Sequence, residues 1–108
     1  MTTQQVAWRD EIPDLWNLTQ DMLFGQIWER PALSKRDRSL ITVAALTALY
    51  RTDQIRAHVN RALDNGVTPD ELKEIMIHIA FYGGWPTGVN GGQVLSEELV
   101  KRGHGRKS

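Results

Sequence analysis

Residues 40–49 read LITVAALTAL, ten positions without a charge and with two threonines as the only polar groups. Ser34 ahead of this run is a good N-cap, and Asp37 adds negative charge in the first turn, where the helix dipole favours it. The pattern predicts a helix from Ser34 to about Tyr50 with almost no polar face. A helix that is apolar all round belongs in the centre of a core or between subunits. The chain must therefore wrap this element in other helices or in copies of itself.

The remaining punctuation is also helical, and no convincing alternating strand occurs. Pro13 suits a first helical turn and opens a segment over residues 13–24 with Leu15, Trp16, Leu18, Met22 and Leu23 near a helical period; Gly25 is read as its end. Residues 26–33 read as a connection, with Pro31 holding Arg30 extended; Trp28 is an aromatic that a solvated loop would not need. Thr52 is read as the cap of the next helix, which buries Ile55, Val59, Ala62 and Leu63 and stops at Asn65-Gly66. Thr68-Pro69-Asp70-Glu71 is a capping box with proline at the first helical position. Its helix carries Leu72, Ile75, Met76, Ile79 and Ala80 at i, i+3, i+4, i+7 and i+8, and Gly83-Gly84 stop it. Pro86 starts a last helix to about Lys101. Gly88, Gly91 and Gly92 lie inside it, each costing about 1 kcal/mol against alanine, so that helix packs closely on a neighbour, admits a ligand, or is irregular there. The predicted fold is all-α, a compact bundle of five to six helices.

Composition removes several functions. Thirteen basic and thirteen acidic side chains cancel, leaving no general field for nucleic acid or an anionic membrane. No apolar run reaches membrane-spanning length, and the N-terminus lacks the charge and apolar pattern of a secretory signal; the expected location is cytoplasmic. The chain has no cysteine, which removes thiolate metal sites and dithiol redox cycling.

Few residues remain for chemistry. The three histidines have no metal-ligand spacing, and no metal or cofactor is expected. His58 forms a polar row with Gln54 and Arg51 along one helix face, beside the apolar stripe; such a row faces either a pocket or the solvent boundary. His78 precedes Tyr82 by one turn on the capping-box helix. Arg38 could hold a carboxylate through its planar fork or make a surface ion pair. Glu97 and Glu98 with Lys101 and Arg102 read as i,i+4 pairs on a solvated face.

The segments RPALSKRDRSLIT, AHVNRALDNGVTPDELKE and YGGWP, in that order across residues 15–99, resemble the carboxymuconolactone decarboxylase family. One branch of that family resembles alkylhydroperoxidase D and uses a Glu followed by C-x-x-C-x-x-x-H. The resemblance places its His on His58, its cysteines on Arg51 and Gln54, and its Glu on Ser39, so thiol peroxidase chemistry is excluded for this chain. The other branch decarboxylates 4-carboxymuconolactone in aromatic catabolism without a cofactor and carries R-S-L followed by E-L-x-x-H. Here these positions read Arg38-Ser39-Leu40 and Gln54-Ile55-x-x-His58, with Gln in place of the carboxylate.

The resemblance implies a cofactor-free carboxy-lyase acting on a small anionic organic substrate. His58 would be the proton donor, oriented by Gln54. Arg38 and Arg51 would anchor carboxylates, with Trp28, Tyr82, Trp85 and His78 around the substrate. It also implies an alkylhydroperoxidase D-like helical domain over residues 13–102, between an extension (1–12) and a basic tail (103–108), assembling as a homo-oligomer, a trimer or a hexamer. Gln54 keeps open another cofactor-free lyase, isomerase or hydrolase, and a non-catalytic binding protein is the alternative of a different class.

Overall fold

The box at Thr68 forms as its residues dictate. Thr68 Oγ1 accepts from the Glu71 backbone N–H at 3.1 Å, and the Glu71 carboxylate accepts from the Thr68 N–H at 2.9 Å. Ser34 caps in the same way, its Oγ accepting from Asp37 N–H at 3.0 Å. The computed structural model describes residues 8–104 and divides into two units, one ending at Leu33 and one beginning at Ser34. The expected tail, apart from Gly103 and His104, lies outside the described residues.

The N-terminal unit holds α1 (Pro13–Leu18), continued by a π-helical segment (Thr19–Ile27). Gly25 therefore does not end the first helix. The chain passes through it in the wider i→i+5 register, with Trp28 N–H donating to Leu23 O at 2.9 Å. A Cβ on Gly25 would sit 3.0 Å from Gln20 O, so the glycine gives that carbonyl room. Trp28 is buried to 8% exposure and packs on Phe24 with ring centroids 5.6 Å apart. An open apolar groove of about 340 Å³ runs along this unit beside Leu15, Met22 and Ile27.

The larger unit is built from α2 (Lys35–Ala48), α3 (Thr52–Asp64), α4 (Pro69–Gly83) and α5 (Trp85–Lys101). All regular elements among the described residues are helical, so the fold is all-α. The apolar helix α2 packs against α3, α4 and α5 alike. It is central on one side only: Ser39, Val43 and Thr47 are buried, while Ile41, Ala45 and Ala48 are exposed. Thr47 enters the core because its hydroxyl donates to Val43 O at 2.7 Å, one turn back. Val43, Ile55, Val59, Leu72, Val94 and Leu95 are among the residues that fill the core.

Among the described residues three helices end in the same left-handed motif. Gly66 (φ +99) closes α3 and Gly103 (φ +80) closes α5, but α2 closes on Tyr50 (φ +62). Around Tyr50 both bonds of the motif form, Arg51 N–H to Leu46 O at 2.9 Å and Tyr50 N–H to Thr47 O at 3.1 Å. The expected cap of α3 is displaced by one residue: Arg51 occupies the N-cap without a side-chain bond, and Thr52 is the first helical residue. The tight turn at Tyr50 leaves no residue for a longer entry.

The glycines of α5 are explained by close packing. A Cβ on Gly88 would lie 2.6 Å from Ala80 Cβ and 2.9 Å from Met76 O, and one on Gly91 would lie 2.7 Å from Met76 Sδ and 2.8 Å from Thr47 Cγ2. Two missing methyls thus let α5 seat directly on α4 and α2. A Cβ on Gly92 would meet nothing within 4 Å.

Candidate active site

Arg51, Gln54 and His58 fall on one face of α3 at i, i+3 and i+7, as the spacing requires. Arg51 and Gln54 are exposed, and His58 is half-buried with Nδ1 inside the protein. Its position follows from the neighbouring Ile55 and Val59, which are fully buried and draw this edge of α3 inward. Burial, reinforced by the positive charge of Arg61 one turn on, lowers the His58 pKa below its ordinary 6.5. At neutral pH the resting imidazole is neutral. It can donate one ring N–H and accept at the other nitrogen, and an anion bound beside it would favour its protonation.

Arg38 lies in the first turn and a half of α2, half-buried, with Nε inside the protein. Arg51 follows the other end of that helix. The part of α2 between them, from Arg38 to Ala48, rises about 15 Å at 1.5 Å per residue.

A second cluster lies on α4. His78 stacks on Tyr82 with centroids 4.8 Å apart, and His78 also borders an open groove of about 330 Å³ between α2 and α4. Leu40, Ala44, Ile75 and Ile79 make the apolar floor, with Glu71 and Glu74 on the rim. Glu71 is held by Arg36, its ion-pair partner on α2. Trp85 packs edge-on against Phe81 at 5.6 Å. Trp28 belongs to the N-terminal unit.

The chain thus groups Arg51, Gln54 and His58 on α3, and His78 with Tyr82 on α4, while Arg38 and Trp28 lie on separate elements. Sequence reasoning missed three participants. Arg61 acts on His58 through charge, legible only as an i,i+3 spacing. Ser39, at the position where the redox branch carries Glu, is fully buried and its Oγ accepts from Asn65 Nδ2 at 3.0 Å, so it joins α2 to the end of α3. Glu98 does not lie on a solvated face. It is 5% exposed and accepts from Arg56 at 2.9 Å, Asn60 at 2.9 Å and Lys101 at 3.1 Å. Its partners come mainly from α3, 38 and 42 residues away in sequence, which an i,i+4 reading within α5 cannot reveal. Among the described residues no three His, Asp or Glu side chains gather into a metal-holding group, and no helix is long and apolar enough to cross a membrane.

Comparison with known proteins decides the family. The profile of the Carboxymuconolactone decarboxylase family matches residues 13–96. The chain belongs to this family. A 4-carboxymuconolactone decarboxylase of Acinetobacter baylyi is 41% identical over 88 residues, covering 82% of this chain and 65% of that protein. A nitrosuccinic acid decarboxylase of Metarhizium robertsii is 33% identical over 70 residues, 65% of this chain and 49% of the relative. An uncharacterized 15.0 kDa protein of Paracoccus denitrificans is 32% identical over 68 residues, 61% of this chain and 51% of its own length. The chain therefore spans between about half and two thirds of the length of these relatives.

Proposed function

We propose that this chain is a cofactor-free carboxy-lyase for 4-carboxymuconolactone or a close lactone acid in aromatic catabolism. The observation that carries this reading is the 41% identity to a protein of that name across 82% of the chain. A relative named for another small acid, nitrosuccinic acid, supports the broader class. In both named substrates the electron pair left by carbon dioxide has an electron-withdrawing group to enter, a lactone or a nitro group. The substrate is its own electron sink.

The protein's task is then to bind carboxylates, favour the developing oxyanion and return a proton to carbon. In the proposed step the bond from ring carbon to carboxylate breaks, carbon dioxide departs, and the pair moves to the lactone carbonyl as a dienolate. Imidazolium His58, formed when the anionic substrate binds beside it, gives its proton to carbon and returns to the neutral form that burial and Arg61 favour. Gln54 cannot exchange a proton at neutral pH and acts as an orienting group. Arg38 holds the retained carboxylate. Arg51, far along α2 from Arg38, contacts the same small molecule only through its long side chain. His78, Tyr82 and Trp85 are proposed as surrounding walls, in a homo-oligomer of three or six chains.

The test is incubation of the pure protein with 4-carboxymuconolactone and, separately, with nitrosuccinate, following carbon dioxide release. His58→Ala is expected to lower kcat by about 10²-fold or more on the true substrate. Equal turnover by that variant would remove His58 from the mechanism. Because Gln54 replaces the carboxylate expected in the decarboxylase branch, isomerisation or hydrolysis of a related acid is the second reading. Consumption of the lactone without carbon dioxide would select it, and no consumption of either acid would favour a binding protein.

A further inference from the structure

The turn at Tyr50 folds α3 back along α2, and one polar contact at the far end fixes how the two helices face each other. Asn65 Nδ2 donates to Ser39 Oγ at 3.0 Å, while Arg51 N–H closes on Leu46 O at 2.9 Å. The pair is therefore antiparallel, with the start of α2 beside the end of α3. Arg38 precedes Ser39 by one position and Arg61 precedes Asn65 by one helical turn, so both arginines flank the same contact. On α3 the row of Arg51, Gln54 and His58 continues to Arg61 and Asn65 at i+10 and i+14, one face of the helix throughout.

Charge is distributed unevenly around α3. Away from the row, Arg56 meets two carboxylates, Glu97 at 2.8 Å and Glu98 at 2.9 Å. The row with His58 receives none from α2 or α3. Asp37 bonds Arg36 at 3.1 Å and Asp64 bonds Arg102 at 2.8 Å, and Asp53, next to Gln54, falls off the row. Arg61 stands three residues from His58, roughly 4.5 Å of helix rise, whereas Arg51 stands seven away, roughly 10 Å. A small acid that takes a proton from His58 meets Arg61 before Arg51. The imidazole registers this nearness, since its pKa is lowered by burial first and by the Arg61 charge second.

We propose that Arg61 is a substrate-binding residue, which together with Arg38 holds the carboxylate that the substrate retains. The assignment rests on the carboxy-lyase reading above. Decarboxylation gives it a chemical reason. A guanidinium on the departing carboxylate would stabilise the ground state, because charge leaves that group as carbon dioxide forms, and would slow the step. The retained carboxylate keeps its charge throughout, so cations on it bind ground state and transition state alike and act on KM. Two arginines flank the Ser39–Asn65 end of the row and one flanks the Gln54 end. The retained carboxylate belongs at the former, and the departing one lies across His58 from it, near the neutral amide of Gln54.

Two measurements on the full chain test this. With 4-carboxymuconolactone, Arg61→Gln should raise KM about tenfold or more, and Arg61→Lys should restore part of the loss, since it keeps the charge without the planar fork. Adipate is a dicarboxylate with no electron sink and therefore reports binding alone, through the His58 imidazole shift in proton NMR. Its Kd should rise about tenfold or more in Arg61→Gln. The rise should stay below about twofold in Lys73→Gln, which removes an equal charge from an exposed site on α4. An unchanged KM in Arg61→Gln, with only the pH profile of kcat displaced, would reduce Arg61 to an influence on the His58 charge and overturn the proposal. So would adipate binding that ignores Arg61→Gln or falls equally in Lys73→Gln, and so would a wild type that leaves adipate unbound. If the lactone keeps its carboxylate while adipate binding still depends on Arg61, the carboxy-lyase reading fails and the carboxylate site stands.

Discussion

At the scale of single residues, the same residue type performs opposite work within one helix. Gly88 stands where any side chain would strike Ala80 and the Met76 carbonyl, and backbone cannot step aside. Gly92, one turn later, faces open space. Gly88→Ala is therefore expected to lower stability by about 1–3 kcal/mol through overpacking, and Gly92→Ala to raise it by up to about 1 kcal/mol through helix propensity. Urea midpoints at one fixed protein concentration check both, and effects of the same sign would refute the packing account. Tyr50 is the converse case, a bulky residue holding φ +62 where the other two such ends use glycine. Tyr50→Gly relieves the left-handed penalty but loosens the unfolded chain, for a net gain of about 0.5–1 kcal/mol. At His58 the relevant quantity is charge. Arg61→Gln should move its imidazole titration upward toward 6.5, because a lowering influence is removed. A proton NMR titration that showed no shift would rule out this role for Arg61.

At the scale of elements, α3 and α5 are joined by a seam of charged and polar groups beside the apolar core they share. Glu98 reaches from α5 into a net of donors, and Arg102 continues the seam to Asn60 Oδ1 at 3.2 Å and Asp64 at 2.8 Å. Burial pushes the Glu98 carboxyl up, but hydrogen bonds from Asn60, Arg56 and Lys101 together outweigh it and hold the group below its ordinary value. Glu98→Ala leaves those donors without their shared acceptor and is expected to cost about 1–3 kcal/mol, measured by thermal or urea unfolding. A loss below a few tenths would mean that water replaces the carboxylate. This seam marks the limit of what sequence alone conveys. The helices at Ser34, Thr68 and Pro86 were legible because their caps are local chemistry. So was the polar row of α3, since helix geometry alone puts Arg51, Gln54 and His58 on one face. Gly25 misled because its role depends on where the Gln20 carbonyl falls in a π turn. Glu98 misled because its partners are distant in sequence. The family motif was readable as a string of residues, but the roughly 15 Å of helix between Arg38 and Ala48, which sets Arg51 apart from Arg38, belongs to helix length and not to motif.

At the scale of the whole molecule, the core is small for what the chain leaves outside. Among the described residues thirteen apolar side chains are buried, while seventeen large ones are exposed, so further apolar burial is available to assembly. The balanced charge means that no large net repulsion masks the titration of individual groups near neutrality, and stability against pH can be read group by group. As pH falls below about 6.5, His58 in the unfolded chain takes up a proton that the folded site resists. The unfolded state then binds more protons, and stability declines until the lowered folded pKa is passed. A second decline follows from Glu71, Glu97 and Glu98, all held below 4.5 in the fold. Their stabilisation is fully present above the unfolded value and is lost as pH falls through the folded ones. Urea midpoints from pH 8 to pH 3 should therefore fall in two steps. His58→Gln should erase the first step and leave the second, and Glu98→Gln should shrink only the second. If the first step survives in His58→Gln, the neutral imidazole assigned to the resting site is wrong, and with it the route by which an arriving anion would charge His58.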